Sequence, residues 1–141
     1  MEFQHAGSHY VVRVDRGEEL VEALEKFCEE SGVELALVFG IGATDHAVVG
    51  LFDVESKEFH KKTLTGPHEI TSVLGNITVK DGKTYLHLHV NLADSNHNVF
   101  GGHLVSARIS ATFEAVVLAL EGRVTRRFDP GLGLNLLDFS S

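Results

Sequence analysis

The sequence has almost no means of cross-linking and little proline. Among 141 residues there are one cysteine, two prolines, one methionine and no tryptophan. A single cysteine, Cys28, permits no internal disulfide, so the fold must rest on its core; this agrees with a reducing compartment. No apolar run approaches the roughly 18 residues that a membrane-spanning helix needs. The first residues, Met1-Glu2-Phe3-Gln4-His5, have neither the basic region nor the apolar core of a signal peptide, and a cytoplasmic protein is expected. Basic charge is short as well: 12 Lys and Arg stand against 20 Asp and Glu, a net charge of −8 with histidines neutral. Gripping a phosphate backbone calls for a basic patch. The only basic clusters are Lys61-Lys62 and Arg123 with Arg126-Arg127, short enough to read as solvated surface. Nucleic-acid binding by this chain alone starts at a disadvantage.

What the chain does have is histidine, nine in all. Two of them fall in Tyr85-Leu86-His87-Leu88-His89-Val90-Asn91-Leu92, which alternates strictly. Leu86, Leu88, Val90 and Leu92 point one way, while Tyr85, His87, His89 and Asn91 point the other, the period of a half-buried strand. Residues two apart on a strand lie about 6.5–7 Å from each other with side chains nearly parallel. Two such imidazoles can converge on one metal ion with bonds of about 2.0–2.1 Å. A third would come from a neighbouring strand, and His103, behind Gly101-Gly102, is the obvious supplier. The same pattern also suits two histidines that simply face water. His5, His9, His60 and His97 read as surface. His46 and His68 have acidic neighbours and could be structural or support the site.

Length and composition, 43% hydrophobic and 23% charged, suit one soluble domain spanning 1–141. His9 to Val14 reads as a first strand. Asp15-Arg16-Gly17-Glu18 resembles a capped helix start, followed by Leu20, Leu24, Phe27 and Cys28 at helical spacing, with Gly32 as the left-handed residue past the end. Cys28 belongs to the buried stripe. Leu35 to Phe39 is a strand that Gly40-Ile41-Gly42-Ala43 breaks. Gly-x-Gly after a strand suggests a dinucleotide loop, but the third glycine and the helix are missing, so a bend or close backbone contact is expected. Ala47 to Asp53 is the next strand, and Glu58 to Leu64 reads as a charged edge strand. After Thr65-Gly66-Pro67 comes a long strand, Glu69 to Val79, and Asp81-Gly82 turns it into the histidine strand. That hairpin places Glu69 near the far end of the histidine strand, within reach of its polar face. Val99–Val105 and Ile109–Leu120 follow as separate strands, the second apolar enough to be covered on both faces or to lie in a subunit interface. Arg123 to Phe128 is the last strand, and an apolar, irregular tail, 129–141, packs back on the sheet or on a partner. The expected fold is α+β: a large, mostly antiparallel sheet with one or two helices on it and a core over about 9–128.

Three stretches together resemble the plant- and prokaryote-conserved (PPC) domain. Gly40-Ile41-Gly42-Ala43 is similar to its glycine-alanine turn, and Glu69-Ile70-Thr71-Ser72-Val73-Leu74-Gly75-Asn76-Ile77 to its Glu-Ile-x-Ser-Leu-x-Gly strand. Leu86 to Asp94, running into Val99-Phe100-Gly101-Gly102-His103-Leu104, resembles the signature of its prokaryotic form. The resemblance implies an α+β fold, a homotrimer and a metal ion, zinc or another divalent transition metal, on His87, His89 and His103. In plants this domain follows the AT-hook of nuclear DNA-binding proteins. No Arg-Gly-Arg-Pro hook occurs here, so DNA association would be inherited by name rather than by residues.

Two functions follow as expectations. The favoured one is a zinc-binding homotrimer acting as a regulator or assembly module, touching DNA through partners. The alternative is a metal-dependent hydrolase or lyase on a small polar substrate. Three imidazoles leave a fourth tetrahedral position open, and a carboxylate nearby could take a proton from water held there. Glu69 is the candidate base and Asp94 the alternate. The small-molecule ligand is not legible.

Overall fold

The structure, a computed structural model, describes residues 1–140; the last residue of the tail, Ser141, lies outside the described residues. Eight strands and one helix follow in the order β1 (Glu2–Ala6), β2 (His9–Asp15), α1 (Leu20–Ser31), β3 (Ala36–Phe52), β4 (Phe59–Lys80), β5 (Lys83–Ala93), β6 (Val99–Ala119), β7 (Thr125–Asp129) and β8 (Leu134–Asp138). This is the expected α+β architecture with one helix. The strands form one sheet in the order β1-β2-β6-β3-β4-β7-β8, with β5 pairing both β4 and β6. All pairings are antiparallel except a single contact between Val79 of β4 and Thr125 of β7. Because β3 pairs β4 and β6 while β5 also pairs β4 and β6, these four strands close a ring. No helix among the described residues is long and apolar enough to cross a membrane.

The alternation of β5 decides what each side of that ring carries. Leu88, Val90 and Leu92 are buried together with Val73 and Ile77 of β4, Val38 of β3, and Phe113, Ala115 and Val117 of β6. Leu20, Leu24, Phe27 and Cys28 of α1 complete this core. Burial pushes the Cys28 thiol up to about 12, with Glu25 and Glu29 adding to it, so the thiol is an inert core group. On the opposite side one lateral row runs Val11, Val116, Phe39, Leu74, His89, His103, each residue paired with the next across neighbouring strands. The histidines therefore stand on the face turned away from the helix, and the four apolar residues beside them are 41–52% exposed. The apolar β6 is thus covered on one face only.

Several local expectations need correction. The sheet starts one strand earlier, since Glu2–Ala6 pairs with β2. Helix α1 is capped by Glu19, whose carboxylate accepts from the Glu22 N–H; Asp15 ends β2, and Gly17 turns at φ +90° before the helix can begin. Gly32 is left-handed, as expected. Gly40 and Gly42 do not break β3. They let β6 lie against it: a Cβ at Gly40 would fall 2.4 Å from Phe113 Cζ, which is the close contact rather than a phosphate loop. Thr65-Gly66-Pro67 does not end a strand either, because β4 absorbs it opposite a register shift between Thr44 and His46. β6 runs unbroken through 106–108, held on β3 through Ala107 and Arg108. The tail is regular: β8 pairs antiparallel with β7 to make a hairpin. The Asp81-Gly82 turn has both residues at positive φ, as a two-residue hairpin requires.

One close approach fixes the histidine row. A Cβ on Gly102 would lie 2.7 Å from the Gly50 carbonyl oxygen, so only glycine lets β6 pass β3 at this depth while pairing with β5. Gly102→Ala is expected to lower stability by about 1–3 kcal/mol, the usual cost of overpacking against backbone. Urea unfolding should show a lower midpoint with an unchanged slope.

Candidate metal centre

His87 and His89 come from one face of β5, and His103 is paired directly with His89 from β6. Each ring offers one nitrogen, and these three atoms all lie within 4.8 Å of one another. Ring centroids are 5.3 Å apart for His87–His89, 5.4 Å for His87–His103 and 5.8 Å for His89–His103. The Phe59 ring stands edge-on to His103 at 5.8 Å, in space that a side chain at residue 50 would fill: a Cβ on Gly50 would be 2.1 Å from Phe59 Cζ. His87 and His103 are half-buried and His89 is exposed. Burial holds His87 below the ordinary imidazole value, and the Arg126 charge and the other two rings lower it further. Burial, with His89, does the same at His103. Both rings are therefore neutral near pH 7, the state that ligates a metal. An all-imidazole set suits zinc, copper, nickel or iron rather than magnesium or calcium. With three protein donors, a four-coordinate ion keeps one position open.

The model of the Plants and Prokaryotes Conserved domain matches residues 1–121. The chain belongs to this family. A Bacteroides thetaiotaomicron protein whose name proposes DNA binding superposes with a TM-score of 0.97 at 34% identity, over 99% of this chain and 98% of that one. A metal-containing protein from Archaeoglobus fulgidus is 43% identical with a TM-score of 0.87, covering 96% and 95% of the two chains. A PPC protein from Pyrococcus horikoshii is 34% identical with a TM-score of 0.83, covering 96% and 94%. Among curated proteins, the bifunctional protein GlmU of Synechococcus sp. JA-3-3Ab is 30% identical over 127 residues, which is 88% of this chain and 19% of that protein. The chain thus spans about a fifth of the length of the curated relatives it matches.

The two carboxylates singled out in the sequence are not brought to the PPC histidines. Glu69 pairs with Ala93, four residues along β5 from His89, or about 13 Å at about 3.3 Å per residue. It lines a separate hollow with Ile41, Thr71 and Glu114. The hairpin is long, so the end of β4 that holds Glu69 lies far from the histidines. Asp94 is occupied in its own turn, accepting from the Asn96 and Asn98 N–H groups at 2.8 and 2.9 Å. His68 makes a local contact with the Gly66 carbonyl at 2.8 Å, and neither it nor His46 reaches the cluster.

The groups around the cluster are others. The histidines open into a hollow of about 840 Å³ that Phe59, Lys62, Asn76, Tyr85 and Arg126 also line, with Leu134 and Leu136 of β8 forming a wall. Arg126 had read as surface because it sits in a short basic run. In the strand Thr125–Asp129 it alternates inward, and its neighbour Arg127 points out to solvent. Tyr85 was legible, since it shares the polar face of β5 with His87 and His89.

The lowered proton affinity of His87 and His103 has a consequence for the metal-free protein. The unfolded chain, with histidines near 6.5, binds more protons than the folded one below that pH, so the stability these groups contribute is full above about pH 6.5 and lost as pH falls toward their folded values. The melting temperature of metal-free protein should fall between about pH 7.5 and 5.5. Replacing both rings, His87→Gln with His103→Gln, should flatten that slope, as read by calorimetry at each pH.

Proposed function

We propose that this chain is a zinc-binding homotrimeric PPC module that acts as a regulator or assembly platform, with His87, His89 and His103 as the metal ligands. The observation that carries the reading is the convergence of three imidazoles, on two paired strands, with ligand atoms within 4.8 Å. The metal-containing relative from Archaeoglobus fulgidus supports it. Trimer formation is supported by the apolar row Val11, Val116, Phe39 and Leu74, together with exposed Ile41, an apolar face of the kind that a partner surface covers. The name of the Bacteroides thetaiotaomicron relative favours a link to DNA. A net charge of −8 argues that such a link runs through partners.

A second reading is a metal-dependent hydrolase or lyase, favoured by the histidines lining a hollow, where a four-coordinate ion on three imidazoles would have one position left for a small molecule. No carboxylate lines that hollow among the described residues, so a base of the Glu69 or Asp94 kind does not serve it.

Elemental analysis of purified protein should give about one zinc per chain, and His89→Ala should remove it. Light scattering should return three times the 15.4 kDa chain mass for both proteins; a monomer at working concentration would remove the assembly half of the reading. A gel shift should stay blank even at low salt, where backbone contacts are strongest. Direct retardation of DNA would overturn the role given to partners. Turnover of a small ester or amide that disappears in His89→Ala would favour the enzyme.

A further inference from the structure

The hollow above the histidines holds a positive charge that no carboxylate pairs with among the described residues. Arg126 is only 9% exposed. Its Nε donates to Thr78 Oγ1, its Nη1 to the Asn135 carbonyl and its Nη2 to Asn76 Oδ1, each at 2.8 Å, and its guanidinium lies 4.6 Å from the Tyr85 ring centre. All four partners are neutral, and among the described residues no carboxylate forms an ion pair with it. A buried cation is costly unless an anion or dipoles compensate it. Three of its five N–H groups are used, which leaves one on each terminal nitrogen. Lys62, on the same hollow, lies over the Phe100 ring at 5.1 Å and forms no ion pair among the described residues. In a chain of net charge −8, a hollow with two cations and no carboxylate is a local reversal of sign.

The site also has a shape. Its volume of about 840 Å³ falls within the range of small-molecule pockets, about 300–1,000 Å³. Asn76, which Arg126 holds, is paired directly with His87, so the guanidinium sits one side chain away from the histidine cluster. Phe52, Phe59, Leu134 and Leu136 give the hollow apolar walls. A purely polar anion such as phosphate would leave these walls unmatched, and a neutral apolar molecule would leave Arg126 unmatched.

We propose that this hollow binds a small organic carboxylate with an aromatic or branched apolar body, the carboxylate on Arg126 beside the histidines and the body against the β8 leucines and Phe59. The inference deepens the reading of the three histidines as a metal centre, because it names what approaches the open side of that centre. It goes beyond that reading in assigning Arg126 and β8 as the ligand-selecting groups.

Titration calorimetry with benzoate, benzamide and acetate, on protein whose zinc content is measured in the same sample, tests it. Benzoate should bind at least about tenfold more tightly than its neutral analogue benzamide and than acetate, which lacks the body. Arg126→Gln should weaken benzoate by a similar factor. Because Arg126 also ties β7 to β4 and β8, Leu136→Glu provides an independent variant: it places a negative charge on an exposed wall position and should likewise weaken benzoate at unchanged zinc content and melting temperature. Benzoate binding no tighter than benzamide, or indifferent to both variants, would overturn the proposal. Full zinc occupancy without benzoate binding would defeat this inference alone. Arg126-dependent benzoate binding to protein that takes up no zinc would uphold it and defeat the metal reading instead.

Discussion

The closure of β3, β4, β5 and β6 into a ring is the constraint on which the rest of the structure depends. It requires β6 to serve two neighbours in succession, pairing with β5 through Val99–His103 and with β3 from His103 onward. His103 is the residue at which both pairings meet, opposite His89 on one side and Gly50 on the other. Backbone atoms crowd at this crossing, where Gly102 leaves room for the Gly50 carbonyl, and Gly50 in turn leaves room for the Phe59 ring beside His103. The convergence of the three histidines is therefore a by-product of how the ring closes. The third histidine is set next to the other two by the main-chain pairing of β5 with β6.

The same closure divides the molecule into two chemistries. Every inward residue of β5 meets the helix-covered core, and every outward residue joins a surface that mixes histidines with exposed Val11, Val116, Phe39 and Leu74. An apolar row and a polar cluster on one lateral line mean that a partner covering the first borders the second. Any assembly through the apolar row would be coupled to access to the histidines, because both lie on a single face of the sheet.

Much of this could be read from the chain, and the reasons are local. The alternation of Tyr85 to Leu92 sets the facing of β5 whatever its neighbours are, and Asp81-Gly82 fixes the β4–β5 hairpin through backbone angles that few residues accept. The helix stripe and Gly32 are equally local. What escaped depends on distant pairing. Gly40, Gly42 and Gly66 look like breaks in sequence but lie inside long strands, because β6 or a register shift opposite them takes up the irregularity. Glu69 looked close to the histidines because the hairpin joins its strand to theirs, yet pairing with Ala93 puts it at the other end. Arg126 was hidden in a basic run because its burial depends on β4 and β8 meeting around it.

That last residue also separates two layers of the site. The histidines and their glycines lie within residues 1–121, which match the family, whereas Arg126, Leu134, Asn135 and Leu136 lie beyond it. The β7–β8 hairpin joins the sheet through one backbone contact at Val79, the Arg126 bonds to Thr78 and Asn76, the Asn135 contact to the Tyr85 hydroxyl and a Lys57 bond to the Gly131 carbonyl. A buried cation bonded to β4, β8 and the strand neighbour of His87 thus does two jobs: it fastens the hairpin and sets the charge of the hollow. A change at residue 126 would alter both together, and changes at the β8 leucines would alter only the fit of the ligand. Ligand choice can then vary through the hairpin while the ring, and the histidines it aligns, stay as they are.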